Sequence, residues 1–290
     1  MIHLTTSQLR RLQMIELELL MEVDRICALH GIRYQIIAGT MLGAVRNGGF
    51  IPWDDDADVA LLRPEYERFR EACRASLDTD RYYFQDMRTT SGYRWGYGKL
   101  RRKRTTFLRE HQEHMPYDQG VFIDVFPLDA IPNSLAGRTL VNFECFLTRK
   151  MLWSTVGKVA DPNIFKRLVY AAMDLVPRDW VAKHVEHLAS RKHAQNSDWV
   201  RILTFPTPNR CFGYKRIWYQ SSVPAQFEGI TFPGVSDYDD YLSFKYGSWR
   251  EIPPPEQRKT HPVSDLHLLD DDEYAQVLNN IELRRENDRR

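Results

Sequence analysis

The chain is poor in cysteine and lacks every familiar cysteine spacing. Its four cysteines, Cys27, Cys73, Cys145 and Cys211, stand far apart and form no CxxC pair, so they are expected as free thiols rather than a disulfide frame or a zinc site. No run of about 18 apolar residues occurs, and the first residues contain no apolar leader. A soluble, cytoplasmic protein is therefore expected, with any membrane contact peripheral and at the inner face. Net charge is nearly absent as well: 40 Lys+Arg stand against 39 Asp+Glu, which leaves no global field to draw in nucleic acid. Walker A, GxGxxG and Ser-His-Asp signatures are missing, which sets aside P-loop, Rossmann and triad chemistry. Internal repeats and low-complexity tracts are missing too.

What the chain has is a dense acidic knot. Residues 51–62 read IPWDDDADVALL, four aspartates at the mouth of an apolar run. On an extended strand Asp56 and Asp58 share one side while Ala57, Val59 and Leu61 take the other. Like charges 4 Å apart repel by about 4 kcal/mol at an effective dielectric near 20. A divalent hard cation, Mg²⁺ or Mn²⁺, would relieve that repulsion and take substrate phosphate as a further ligand. The plainer reading is a solvated acidic loop, but the apolar residues that follow place the aspartates at a strand end.

A second acid, Asp124, interrupts the apolar run VFIDVF at 121–126. A buried carboxylate needs a partner, so Asp124 is a candidate metal ligand or base, or else a hydrogen-bonded structural aspartate. Asp129, just before Ile131-Pro132, reads as a turn residue. Gly39-Thr40, between a short strand and a helix start, suits a phosphate. Arg46 and Lys99 are candidate phosphate clamps. The basic run Arg101–Arg104 reads as a solvated loop or a phosphate-facing rim. His111 with His114, and His184 with His187 near His193, have zinc-like spacing but no completing ligands. His261, with Arg258 and Lys259 beside it, is a further candidate for substrate binding. Trp53, Tyr93, Trp95 and Tyr97 offer aromatic faces to a quaternary ammonium, although core packing is the commoner role for each.

Apolar spacing predicts a helix over 7–29, capped by Thr6 or Ser7 and closed by Gly31. A strand at 34–38 precedes helical turns at 41–46, and Asn47-Gly48-Gly49 turns the chain. The aspartate strand leads to a helix opened by Pro64 and running to about Ala75. Strands are expected at 82–85, 95–100 and 121–126, then helices at 136–157, 163–175 and 178–194. The fold class is α+β: a mixed sheet with flanking helices. One domain is expected over 1–290, with a core at about 7–132, a helical insertion at about 136–195, a C-terminal part at about 199–290 and a charged terminal helix from 271.

These residues, in this order, resemble the LicD family, whose distant relatives include fukutin and fukutin-related protein. The segment 38–69, AGTMLGAVRNGGFIPWDDDADVALLRPEYERF, carries most of the likeness. GKLRRKRTTF, GVFIDVFPLDAIP and the closing YLSFKYGSWREIPPP…RKTH (241–261) resemble later blocks of the same family. Ala57 and Met41 depart from the commoner Ile or Val and Leu. The resemblance implies a nucleotidyltransferase-like fold and transfer of a phospho-substituted group, most often phosphocholine, from a CDP-linked donor such as CDP-choline. The acceptor would be a sugar hydroxyl of a cell-surface glycan, lipopolysaccharide or teichoic acid, in lipid-linked or free form, and CMP would leave. It implies that Asp56 and Asp58 are the metal pair and Asp124 the third acidic position. Two other readings stay open: a nucleotidyltransferase releasing pyrophosphate, and an inert glycan- or nucleotide-binding module.

Overall fold

The computed structural model describes residues 2–191, 197–258 and 260–289; His193 and Lys259 fall outside them. Helix α1 (Thr6–His30) opens the chain. Its cap is Thr5, not Thr6 or Ser7, because Gln8 lies three residues on and closes a reciprocal capping box. Gly31 ends it at φ 59°, the left-handed value that glycine tolerates. Leu12, Ile15, Leu19, Val23 and Ile26 on this helix are fully buried, each contributing about 1.5–3 kcal/mol of hydrophobic stabilisation.

Strand β1 (Gln35–Ile36) is shorter than the pattern suggested. Helix α2 (Ala38–Asn47) begins at once, with Ala38 at φ 51°, so Gly39 and Thr40 lie inside its first turn. Then come β2 (Asp58–Leu62) and α3 (Arg63–Ser76), with Pro64 in the first helical turn. Next are β3 (Tyr82–Gln85), β4 (Gly98–Arg102), β5 (Thr106–Arg109) and the long β6 (Phe122–Ile131). The expected helical stretch forms α4 (Leu135–Ala160), α5 (Ile164–Asp174) and α6 (Arg178–Ser190). Strands β7 (Trp199–Arg201), β8 (Tyr214–Lys215), β9 (Ser222–Phe227) and β10 (Ile230–Val235) lead to α7 (Tyr238–Tyr246). Strand β11 (Val263–His267) and helix α8 (Asp271–Asp288) close the fold.

The main sheet runs β3-β4-β6-β2-β1-β10-β9, and β7 joins the far half of β6. Its pairs are antiparallel except β2 with β6 and β1 with β10. The fold is therefore α+β with a mixed sheet, as expected. The largest buried cluster takes residues from α1 through α8 but none from α4, α5 or α6. Helices α4 and α6 meet in two small clusters, one around Val141 and Leu188 that also takes Ile131 of β6 and Leu203, the other around Leu152 and Val181.

Three readings need correction. Arg101 and Arg102 are not on a solvated loop; they are buried in β4. Arg101 donates to Gln85 and to the Gly120 carbonyl, and Arg102 pairs with Glu18 of α1 at 3.0 Å. Asp129 is not a turn residue but lies in β6, where both of its oxygens accept from Arg63 at 2.6 and 2.7 Å. The 95–100 strand starts later, at Gly98, and runs on to Arg102, because both arginines pair with β3.

Candidate active site

The sheet brings the candidate residues into one row. Lys99 of β4 is in register with Asp124 of β6, and Asp124 with Asp58 of β2. Residues paired in this way share a face of the sheet. The β2–β6 pair is parallel, and the Asp124 N–H donates to the Ala57 carbonyl at 2.9 Å, which sets the two carboxylates side by side. Asp56 lies just before the strand.

Lys99 and Asp124 are both buried and paired to each other. Burial pulls the Lys99 ammonium down to about 7, helped by Arg109 and Arg101 and opposed by Asp124. Asp58 is pushed the other way: burial, then Asp56, Asp124 and Asp54, hold its carboxyl well above the ordinary range, against a weaker pull from Lys245. Burial also raises Asp56, although His261 and Arg109 offset part of it. Asp54 is pushed up to about 8 by burial and by Asp56 and Asp55, with Arg46 opposing.

The four aspartates thus have different roles. Asp55 is buried and grips His261, accepting from its backbone N–H at 2.8 Å and lying 2.9 Å from Nδ1. That pair ties the acidic loop to the C-terminal segment and leaves the His261 ring 3.8 Å from Asp56. Asp54 faces the first turn of α2: a Cβ on Gly39 would come 2.6 Å from its Oδ2. The Gly39→Ala variant is therefore expected to displace Asp54, the overpacking cost of about 1–3 kcal/mol being offset in part by about 0.5–1 kcal/mol of helix propensity; urea denaturation would measure the net loss, and a raised midpoint would contradict the close fit.

Other predicted residues are tied up in structure. The Thr40 hydroxyl accepts the Asp58 backbone N–H at 2.8 Å, so it fixes the start of β2. Arg46 donates to the Trp249 and Glu251 carbonyls, clasping the C-terminal segment while still facing Asp54. His111 and His114 are exposed, and His184 lies by Glu144. Tyr93 is buried, and Trp53 carries the Arg258 guanidinium over its ring at 4.3 Å.

Three charged groups near the acidic row were not singled out from the sequence: Glu16, Arg109 and Lys245, the last through its pull on Asp58. Glu16 of α1 is buried, its Oε2 has no hydrogen-bond partner, and burial together with Asp56, Asp55, Asp54 and Asp58 raises its carboxyl well above the ordinary range. Its signal was present, since it sits among buried apolar positions of α1. Arg109 of β5 lies 3.8 Å from Asp56, and its Nε and Nη2 are buried without hydrogen-bond partners. It also lines a cavity of about 410 Å³ that shares Lys99 and Phe122 with the site. Trp95, Tyr97, Trp153 and Phe205 give this cavity aromatic walls, and Arg149 and Lys150 of α4 add charge.

A hard cation suits the donor set. Asp56 and Asp58 offer carboxylate oxygens that repel each other, and among the described residues no donor bonds to the Asp58 carboxylate. Also among the described residues, no three His, Cys, Asp or Glu side chains gather as a ready metal group. A two-carboxylate site completed by water and phosphate is the arrangement Mg²⁺ commonly takes.

A mixed sheet with paired aspartates where two parallel strands meet defines a nucleotidyltransferase-like α+β protein. Residues 31–134 match the family model described as LicD/FKTN/FKRP, nucleotidyltransferase domain. Over 273 residues, 90% of this chain and 98% of the other, it is 24% identical to the lipopolysaccharide cholinephosphotransferase LicD of Haemophilus influenzae. An uncharacterized protein of Rickettsia typhi is 35% identical over 54 residues, 19% of this chain and 18% of that protein.

Proposed function

We propose that the chain is a Mg²⁺-dependent phosphotransferase that moves phosphocholine from CDP-choline to a sugar hydroxyl of a lipopolysaccharide-type glycan, releasing CMP. The observation that carries this reading is the row Lys99–Asp124–Asp58, with Asp56 beside it, opening onto a basic, aromatic cavity. Similarity to a cholinephosphotransferase along nearly the whole chain supports the choice of group.

Asp56 and Asp58 would hold the ion, whose chemistry is to neutralise charge on the donor diphosphate. Arg109, which lines the cavity, would offer its guanidinium to a phosphate of the donor. Lys99, Arg101, Arg109, Arg149 and Lys150 line the cavity, and among the described residues no acidic one does. Such a lining repels a trimethylammonium and accepts the nucleotide end of the donor, with the rings stacking on the base. Asp124, through the oxygen that Lys99 does not hold, takes the proton of the acceptor hydroxyl. The acceptor's deprotonated hydroxyl oxygen attacks the choline-bearing phosphorus in line, the phosphorus–oxygen bond to CMP breaks, and CMP leaves with the electron pair.

The test is incubation of the purified chain with CDP-choline, CDP-ribitol and CDP-glycerol. CMP release is expected with CDP-choline and Mg²⁺ or Mn²⁺, and its loss on adding EDTA. Pyrophosphate as the product would favour nucleotidyl transfer instead. No consumption of any CDP donor, with or without glycan, would leave the inert binding module as the reading.

A further inference from the structure

Helix α5 turns its apolar side to solvent. Phe165, Leu168, Val169, Ala172 and Leu175 fall on one face by helical spacing. Phe165 is 75% exposed, Leu168 62% and Leu175 83%. Tyr170 is the one buried residue of α5, seated against Gly157 of α4 and bonded to Lys150. Trp180, at the start of α6, is 71% exposed. On α4 the outward residues Leu140, Phe143 and Leu147 form a second apolar stripe. It runs on to Phe146, Lys150 and Trp153, which line the cavity beside the acidic row.

The exposed charges around this face lean basic, although Asp179 beside Trp180 is also exposed. Lys166 and Arg167 are exposed on α5. The single acid of that helix, Asp174, is held inward by Arg94, Thr155 and Lys158. Among the described residues Lys166 has no ion-pair partner. An exposed apolar stripe with Lys166 and Arg167 on the same helix, the latter also donating to the Lys158 carbonyl at 3.0 Å, and with a tryptophan at its border, fits the boundary of an anionic bilayer, where the apolar face enters the acyl region and the cations reach lipid phosphates. No helix of the described residues is long and apolar enough to cross a membrane, so the contact would lie along the surface.

We propose that α4, α5 and the start of α6 form a docking surface for an anionic lipid bilayer, with the cavity opening beside it. This contact holds whichever group the site transfers. The stripe on α4 would carry an acceptor embedded in the bilayer towards the cavity mouth.

Flotation of the full chain with phosphatidylcholine vesicles, with and without an equimolar share of phosphatidylglycerol, tests the proposal. The chain is expected to float with the phosphatidylglycerol vesicles and to partition less onto phosphatidylcholine alone. The double variant Phe165→Asp/Leu168→Asp is expected to lose at least about tenfold in partitioning, with CMP release from soluble CDP-choline unchanged. Lys166→Glu/Arg167→Glu is expected to weaken binding and flatten its dependence on phosphatidylglycerol. Failure of the parent chain to float with either vesicle overturns the proposal, as does flotation unaffected by the apolar variant. A dimer in sedimentation that Phe165→Asp/Leu168→Asp disperses would instead show that a second copy covers the face.

Discussion

Asp58→Asn is expected to reduce CMP release from CDP-choline on the order of 10³-fold while leaving the fold intact. The substitution keeps the shape of the side chain and the backbone N–H that Thr40 accepts, but removes one of the two hard oxygen ligands. Its effect on stability should have the opposite sign in metal-free protein. The folded-state pKa of Asp58 is raised by burial and by its acidic neighbours. A raised pKa means stability that is fully present below the unfolded value and is lost as pH rises through the folded one. The parent chain without metal should therefore lose stability from the ordinary carboxylate range upward, and Asp58→Asn should lose less. At pH 8 in EDTA the variant is expected to melt higher than the parent. Adding Mg²⁺ should raise the melting temperature of the parent and barely move that of the variant, since only a ligand that binds the native state stabilises it. Unaltered turnover, or equal shifts by Mg²⁺ in both proteins, would remove Asp58 from the metal site.

Part of this site was legible because strand geometry is local. The apolar runs around Asp58 and Asp124 marked both as strand residues, whereas β2 starts at Asp58 and strand alternation does not extend to Asp56. Helical periodicity located α1, α3 and the three helices between 135 and 190 within a few residues for the same reason. The division of labour among the four aspartates was not legible. Asp54, Asp55, Asp56 and Asp58 look alike along the chain, and what separates them is remote: His261 for Asp55, the first turn of α2 for Asp54, Asp124 for Asp58. Arg101 and Arg102 were misread because a basic run is usually solvated, whereas here Gln85 and Glu18 compensate them inside the fold. Asp129 was misread likewise, since the Arg63 that satisfies both of its oxygens lies on another element. The brevity of β1 follows from the left-handed backbone at Ala38, a conformation that an alanine codon in an apolar run does not announce. Arg109 could have been suspected only from the basic stretch it ends; its two bare N–H groups are a property of the packed site.

Glu18→Ala is expected to be the most destabilising substitution outside the site. Glu18 and Arg102 are each 3% exposed, and Glu18 also accepts from Arg81. Removing the acid leaves Arg102 with only long contacts to the Arg81 and Lys103 carbonyls, at 3.4 and 3.3 Å. Breaking a buried pair from one side costs about 3–5 kcal/mol, because the surviving charge stays desolvated. That is a large share of the roughly 5–15 kcal/mol by which folded domains are stable. Replacing both partners by apolar residues, Glu18→Leu with Arg102→Met, should recover most of the loss, which separates the cost of an orphaned charge from the value of the pair. The link to chemistry runs along β4, where Arg102 holds the strand that carries Lys99. Activity per folded molecule should fall in Glu18→Ala and return in the double variant, in contrast to Asp58→Asn, which loses activity at undiminished stability. Urea denaturation paired with CMP release, normalised to the folded fraction, reads both. A Glu18→Ala midpoint equal to that of the parent would show that Arg102 finds another acceptor and that α1 does not hold β4 through this pair.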